Sequence, residues 1–172
     1  DLYSCITAAI GTLRGPLHGG ANEAAMEMIE RWQSPDEAEA GILAMLANKE
    51  KIMGFGHAIY RESDPRNALI KAWSEKLAAQ ADDAVLYDIS VRVEDVMKRE
   101  KALFANADFF HATAYHFMGI PTRLFTPIFV MSRVTGWAAH VFEQRAHNRI
   151  IRPSADYIGP DHQDWLPIEQ RH

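Results

Sequence analysis

The stretch GTLRGPLHGGANE, residues 11–23, gathers four glycines and a proline around a single histidine, His18. Both flanks read as helix. Upstream, Leu2, Ile6, Ala9, Ile10 and Leu13 recur at helical spacing over residues 2–14, and downstream ANEAAMEMIERWQ is rich in helix formers. A chain that breaks two helices to surround one imidazole builds a loop on rigid supports, where binding and catalytic groups usually stand. The glycines there are expected to let ligands approach closely and to leave backbone N–H donors free.

The pattern repeats along the chain. Ser34-Pro35-Asp36-Glu37 supplies an N-cap, a proline at the first helical position and early acids for a helix through DEAEAGILAMLANKEK. IMGFGHAIYRESDPR, residues 52–66, interrupts with two glycines and a proline around His57. Helices then restart at Asp64-Pro65 and again over residues 84–104, and the connection ANAD puts Asp108 just before an apolar helix that Ile120-Pro121 closes. The segment TPIFVMSRVTGWAAHVFEQRAHN is long and largely apolar, so burial over much of its length is expected. After Ile151, Pro153, Gly159, Pro160 and Pro167 mark an irregular tail. No alternation supports a sheet, and no repeat is visible. The expected fold is nearly all-α, with about seven helices.

At 172 residues, 48% hydrophobic and 24% charged, the chain has the balance of a folded globular protein. A net charge of −5 argues against non-specific attachment to nucleic acid or anionic membrane. No apolar run approaches the ~20 residues that a membrane span requires. The single cysteine, Cys5, excludes an internal disulfide, is expected to pack, and makes a reducing cytoplasm the expected compartment. The first residue is Asp1 rather than Met, and an apolar stripe begins at Leu2, which reads as a piece of something longer.

Three loops therefore each present a titratable group: His18, His57 and Asp108. Arg61 and Arg66 flank the proline turn after His57, Arg133 lies in the apolar run FVMSRVTGW, and Arg152 precedes a proline in IIRP. A guanidinium within an apolar helix needs an anion, and either an internal carboxylate or a substrate carboxylate or phosphate satisfies Arg133. A metal site is the competing pattern. His140, Glu143 and His147 share one helix face, and Asp108 and His111 share another. Bundle metal sites also take Glu-x-x-His pairs and bridging glutamates from further helices, which are missing, so a polar helix face and no metal is the expectation.

Four motifs in order, GPLHGGAN, GFGHAIYRESDPR, NADFFHATAYHFMGIPTRLFTPIFVMSRVTGW and RIIRPSADYIGP, resemble the citrate synthase superfamily over nearly the whole chain. Within it, DFFHATAYHFMGIP and PSADYIGP are more similar to the 2-methylcitrate synthases than to the acetyl-CoA enzymes. The resemblance implies an all-α fold, with residues 1–19 ending one segment of a large domain, 20–110 forming a small CoA-binding domain and 111–172 returning to the large one. It implies condensation of propionyl-CoA with oxaloacetate and hydrolysis to 2-methylcitrate and CoA, in a homodimer, without metal or redox cofactor. Asp108 matches the base, His18 the donor to the thioester oxygen and His57 the donor to the oxaloacetate carbonyl. Arg66 and Arg133 match oxaloacetate-binding positions, and Arg152 one supplied to a neighbouring subunit. Arg61 and the backbone of Ile52, Met53, Gly54, Phe55 and Gly56 match part of the CoA surface. Phe109, Phe110 and His111, beside the base, are expected to shape the acyl pocket. The family also has more than half of its large domain, with another oxaloacetate-binding histidine, ahead of the position matched by Asp1.

Overall fold

The computed structural model describes residues 1–15, 17–81 and 84–171. Among these are seven α-helices and two 3-10 turns: α1 (Leu2–Leu13), α2 (Ala21–Ile29), α3 (Pro35–Ala47), α4 (Asn67–Ala78), α5 (Val85–Lys101), α6 (Ala107–Phe117), a turn at Thr122–Leu124, α7 (Phe125–Ala146) and a turn at Ile168–Gln170. The fold is all-α.

Local chemistry sets the helix ends. Ser34 Oγ accepts from the Glu37 N–H at 3.2 Å, with Pro35 leading α3, as its sequence requires. α5 closes with three basic residues in its last turn and Ala102 in the left-handed region, φ 52°. α6 starts earlier than the sequence pattern indicates. Asn106 caps it, its Oδ1 accepting from the Asp108 N–H at 3.0 Å, so Asp108 belongs to the first helical turn and not to the preceding loop.

The core is one cluster drawn mainly from α2, α3, α5 and α6. Met26, Ile29, Ile42, Ile89, Val93, Val96, Phe109, Phe110 and Phe125 are wholly buried. Burying each large apolar side chain contributes roughly 1.5–3 kcal/mol, so α6, which supplies two phenylalanines, anchors the assembly. α6 lies against α4 and α2, α3 against α5, and α1 against α7. A buried hydroxyl pair, Ser74 Oγ and Thr113 Oγ1 at 2.8 Å, joins α4 to α6 without an orphaned polar group.

Two expectations of burial fail. α7 buries only Phe125, leaving Met131 and Phe142 mostly exposed, and α1 leaves Tyr3 exposed and Cys5 at the surface. Among the described residues these helices cover one another along one side only. An apolar run reports a surface that favours cover; it does not supply the partner.

One short seam positions everything that follows. Gly56 N donates to Phe104 O and Asn106 N to Gly54 O, both at 2.9 Å, pairing Phe55 with Ala105 in an antiparallel bridge. Asn106 Nδ2 adds a bond to Gly56 O at 3.0 Å. Gly54 is required here, because its φ is +87° and an added Cβ would lie 2.8 Å from the Phe109 Cβ. Gly54→Ala combines left-handed strain with overpacking and is expected to lower the unfolding free energy by roughly 2–4 kcal/mol, read from the urea midpoint at unchanged m-value.

Candidate active site

The seam brings the His57 loop to the N-terminus of α6, and a buried carboxylate fastens the junction. Asp64, whose side chain is fully buried, accepts from four N–H groups. Its Oδ1 takes Arg66 Nε at 2.9 Å and the Arg66 backbone N–H at 3.0 Å; its Oδ2 takes Arg66 Nη2 at 2.7 Å and the Ala107 N–H at 3.0 Å. The Arg66 guanidinium, together with those backbone donors, outweighs burial and pulls the Asp64 carboxyl down to about 2.

Asp108 sits one residue beyond Ala107, half-buried in the first turn of α6. Burial disfavours its charged form most strongly. The nearby His18, Arg66 and His57 favour the anion and Asp64 opposes it, and the net result holds Asp108 above its ordinary value. A carboxylate so placed is a better proton acceptor than a free one.

His57 is fixed by its own loop. Its Nδ1 accepts from the Ile59 N–H at 3.0 Å and the Tyr60 N–H at 3.2 Å, while its ring lies 4.4 Å from that of Tyr60. With Nδ1 an acceptor, the ring proton resides on Nε2, which is thereby a committed donor.

His18 is exposed on the third loop, its ring edge-on to Phe129 at 5.8 Å. Two of the glycines beside it do not leave free N–H donors. Gly19 N donates to Leu13 O at 3.1 Å and Gly20 N to Gly15 O at 2.9 Å, and a Cβ on Gly19 would lie 2.4 Å from Leu13 Cγ. Those donors are occupied, and Gly19 is small because the loop folds back on the end of α1. Thr126 completes the clasp, its Oγ1 donating to Gly19 O at 3.2 Å while its N–H donates to Glu23 Oε1 at 2.9 Å.

Thus His18, His57 and Arg66 lie near enough to Asp108 for their charges to favour its anion. Arg133 stands at the rim, its guanidinium 5.1 Å over the Phe129 ring that also touches His18. Arg61 is exposed on the His57 loop. Arg152 lies in the exposed segment after α7, and no hydrogen bond, ion pair or ring contact among the described residues joins it to the cluster. Of the glycine loop, Ile52 is in the core, Met53 and Phe55 pack against it, and Gly54 O, Gly56 N and Gly56 O are spent on the seam. Phe109 and Phe110 are likewise wholly buried, so they fill the core where an acyl-pocket lining was expected. His111 is half-buried and stacked on Tyr115 at 5.3 Å, and burial holds its pKa below the usual imidazole value. Among the described residues no three metal-ligating side chains converge; His140 and Glu143 meet at 3.4 Å on an exposed face of α7.

The geometry joins a raised carboxylate, two imidazoles from separate loops and a guanidinium with exposed surface. That set can remove a proton next to a carbonyl, donate to oxygens that gain charge, and hold a carboxylate. Comparison with known proteins gives the lineage. The family model for the citrate synthase C-terminal domain matches residues 1–154.

The chain belongs to the citrate synthase family.

It is 66% identical over 171 residues to a 2-methylcitrate synthase of Shewanella oneidensis, covering 99% of this chain and 46% of that protein. It is 52% identical over 171 residues to citrate synthase 2 of Bacillus subtilis, with the same coverage of 99% and 46%. A solved citrate synthase of Thermoplasma acidophilum, in ternary complex with carboxymethyl coenzyme A and oxaloacetate, superposes with a TM-score of 0.89 at 38% identity, over 99% of this chain and 47% of that one. The chain spans about half the length of the curated relatives it matches.

Asp64 went unremarked in the sequence except as a helix start, although Asp-Pro-Arg in a loop that also carries a histidine is the signal that finds it. A carboxyl lowered from 3.8 to about 2 contributes about 2 kcal/mol when ionised. The sign follows: a depressed folded value gives stability that is present above the unfolded value and lost as pH falls through the folded one. Unfolding curves are expected to show stability declining between about pH 5 and pH 2, and Asp64→Asn to lack that share of the decline.

Proposed function

We propose that this chain carries the catalytic groups of a 2-methylcitrate synthase, which joins propionyl-CoA to oxaloacetate and hydrolyses the thioester. The observation that carries the reading is the raised Asp108 carboxyl lying among His18, His57 and Arg66, in a family of condensing enzymes.

Asp108 removes an α-proton from propionyl-CoA, and the C–H electron pair moves into a C=C bond as charge builds on the thioester oxygen. His18 donates to that oxygen, which an acid as weak as a thioester requires before a carboxylate can deprotonate it. A donor aimed at a developing oxyanion is worth roughly 2.7–4 kcal/mol. The nucleophilic carbon then attacks the ketone of oxaloacetate, and the ketone oxygen takes the proton from His57 Nε2. Water cleaves the resulting thioester to release 2-methylcitrate and CoA. No metal or cofactor enters these steps, and the CoA thioester is a substrate.

Arg66 and Arg133 hold oxaloacetate carboxylates in this reading, and Arg152 serves the neighbouring subunit of a homodimer. Arg61 and the backbone of the 52–56 loop receive CoA, with Gly54 and Gly56 contributing the fold of the loop. The division at residues 19/20 and 110/111 between large- and small-domain segments belongs to the same proposal, as does a cytoplasmic location. No described helix is long and apolar enough to cross a membrane.

The propionyl preference rests on the higher identity to a 2-methylcitrate synthase, 66% against 52% for a citrate synthase. One methylene is worth ~1–3 kcal/mol in a pocket, so both thioesters should react and propionyl-CoA should give the higher kcat/KM. Release of free CoA, measured with the protein extended by the residues its relatives carry ahead of Asp1, decides the point; an acetyl preference makes it a citrate synthase. In that same protein Asp108→Asn is expected to lower kcat by at least ~10²-fold with oxaloacetate affinity retained. Undiminished exchange of the propionyl-CoA α-protons with deuterated water would remove Asp108 from its role.

A further inference from the structure

Asp64 is buried, carries four hydrogen bonds, and takes no part in the chemistry just described. Its partners are unusual in belonging to two functional segments at once. A guanidinium has five N–H donors, one on Nε and two on each Nη. Asp64 occupies the Nε–H and one Nη2–H, the side-on fork, at 2.9 and 2.7 Å. What remains is the end-on edge, a parallel pair from Nη1 and Nη2, which is the geometry that grips a second carboxylate through two bonds. Arg66 keeps 52% of its side chain exposed, whereas that of Asp64 is fully buried. The same carboxylate also accepts the Arg66 backbone N–H at 3.0 Å, removing the freedom of both stem and head.

Through Oδ2 the carboxylate reaches across 43 positions of sequence to the Ala107 N–H at 3.0 Å. Ala107 precedes Asp108 and opens α6. We propose that Asp64 is a positioning residue for the reaction, one buried carboxylate that aims the free edge of Arg66 at a substrate carboxylate and fixes the helix turn bearing Asp108 at a set distance from it. This inference rests on the synthase reading above. It differs from a purely structural role in a definite way. A structural staple affects the amount of folded protein, whereas a positioning group changes how tightly the folded protein holds the substrate that its guanidinium partner grips.

The test uses the extended protein, with oxaloacetate varied at saturating propionyl-CoA. Asp64→Asn keeps the shape but replaces one acceptor oxygen with a donor, which faces either Arg66 or the Ala107 N–H. It is expected to raise KM for oxaloacetate about 10–100-fold while moving KM for propionyl-CoA by less than about 3-fold. In an Arg66→Ala background the same change should add less than about 3-fold, because the group it acts through is gone. The acid limb of the kcat/KM profile should also move to lower pH, since the Asp64 charge opposes ionisation of Asp108. Oxaloacetate KM within twofold of wild type, or full additivity with Arg66→Ala, overturns the proposal. If Asp64→Asn does not fold, Asp64→Glu replaces it: the longer carboxylate keeps the charge but displaces the Arg66 fork, so a selective rise in KM for oxaloacetate is expected and an unchanged KM overturns the proposal. An unsubstituted protein that releases no CoA from either thioester defeats the synthase reading itself, which keeps the two failures apart.

Discussion

Two backbone hydrogen bonds between residues 54–56 and 104–106 are the constraint on which the site depends. Helices in this chain satisfy their own backbone groups and so impose no particular register on the loops between them. The seam does. By pairing Phe55 with Ala105 it fixes the chain just before His57 against the chain just before Asp108, and the Phe55 ring then seats 4.6 Å from Phe109 in the core. Because the pairing is main chain to main chain, it is indifferent to most side chains and intolerant of one, a β-carbon at Gly54.

The charges follow from that placement. Two carboxylates lie close together at the start of α6, and their environments push them apart. Asp64 is surrounded by donors and stays ionised; Asp108 is desolvated and hovers above its ordinary value. A pair separated in this way differs in what each member can do: Asp64 keeps its charge, and Asp108 binds a proton more readily than a free carboxyl. Around them His57 is locked as a donor through Nε2 by its own loop, whereas His18 reaches the cluster from a loop tied to α1 and to the start of α7.

Helical periodicity makes most of the architecture legible in the sequence, and the His18 and His57 loops stand out because glycine and proline interrupt it there. The connection ahead of Asp108 has neither residue and shows only as a short break before an apolar helix. What escaped was contact across distance. Nothing near Asp64 in sequence announces Ala107, and the apolar residues of α7 look the same whether a neighbour covers them or not. The packing purpose of Gly19 is hidden in the sequence, since a small residue needed against Leu13 is indistinguishable, in one dimension, from a small residue needed for a ligand. Asp108 reads as a loop residue because a capping asparagine shifts a helix start by two residues without altering the apolar pattern.

Phe109 and Phe110 follow Asp108 directly and are sealed in the core. The helix that presents this carboxylate is therefore also the helix the molecule can least alter. Over evolutionary time, or in a laboratory library, these two positions cannot drift without first eroding the framework that holds Asp108 beside Asp64. Variation has room on the half-buried side of α6, where Asp108, His111 and Tyr115 share a face, or on surfaces contributed from elsewhere. The framework and the polar groups it presents are thus written on opposite sides of one helix and are free to evolve at different rates.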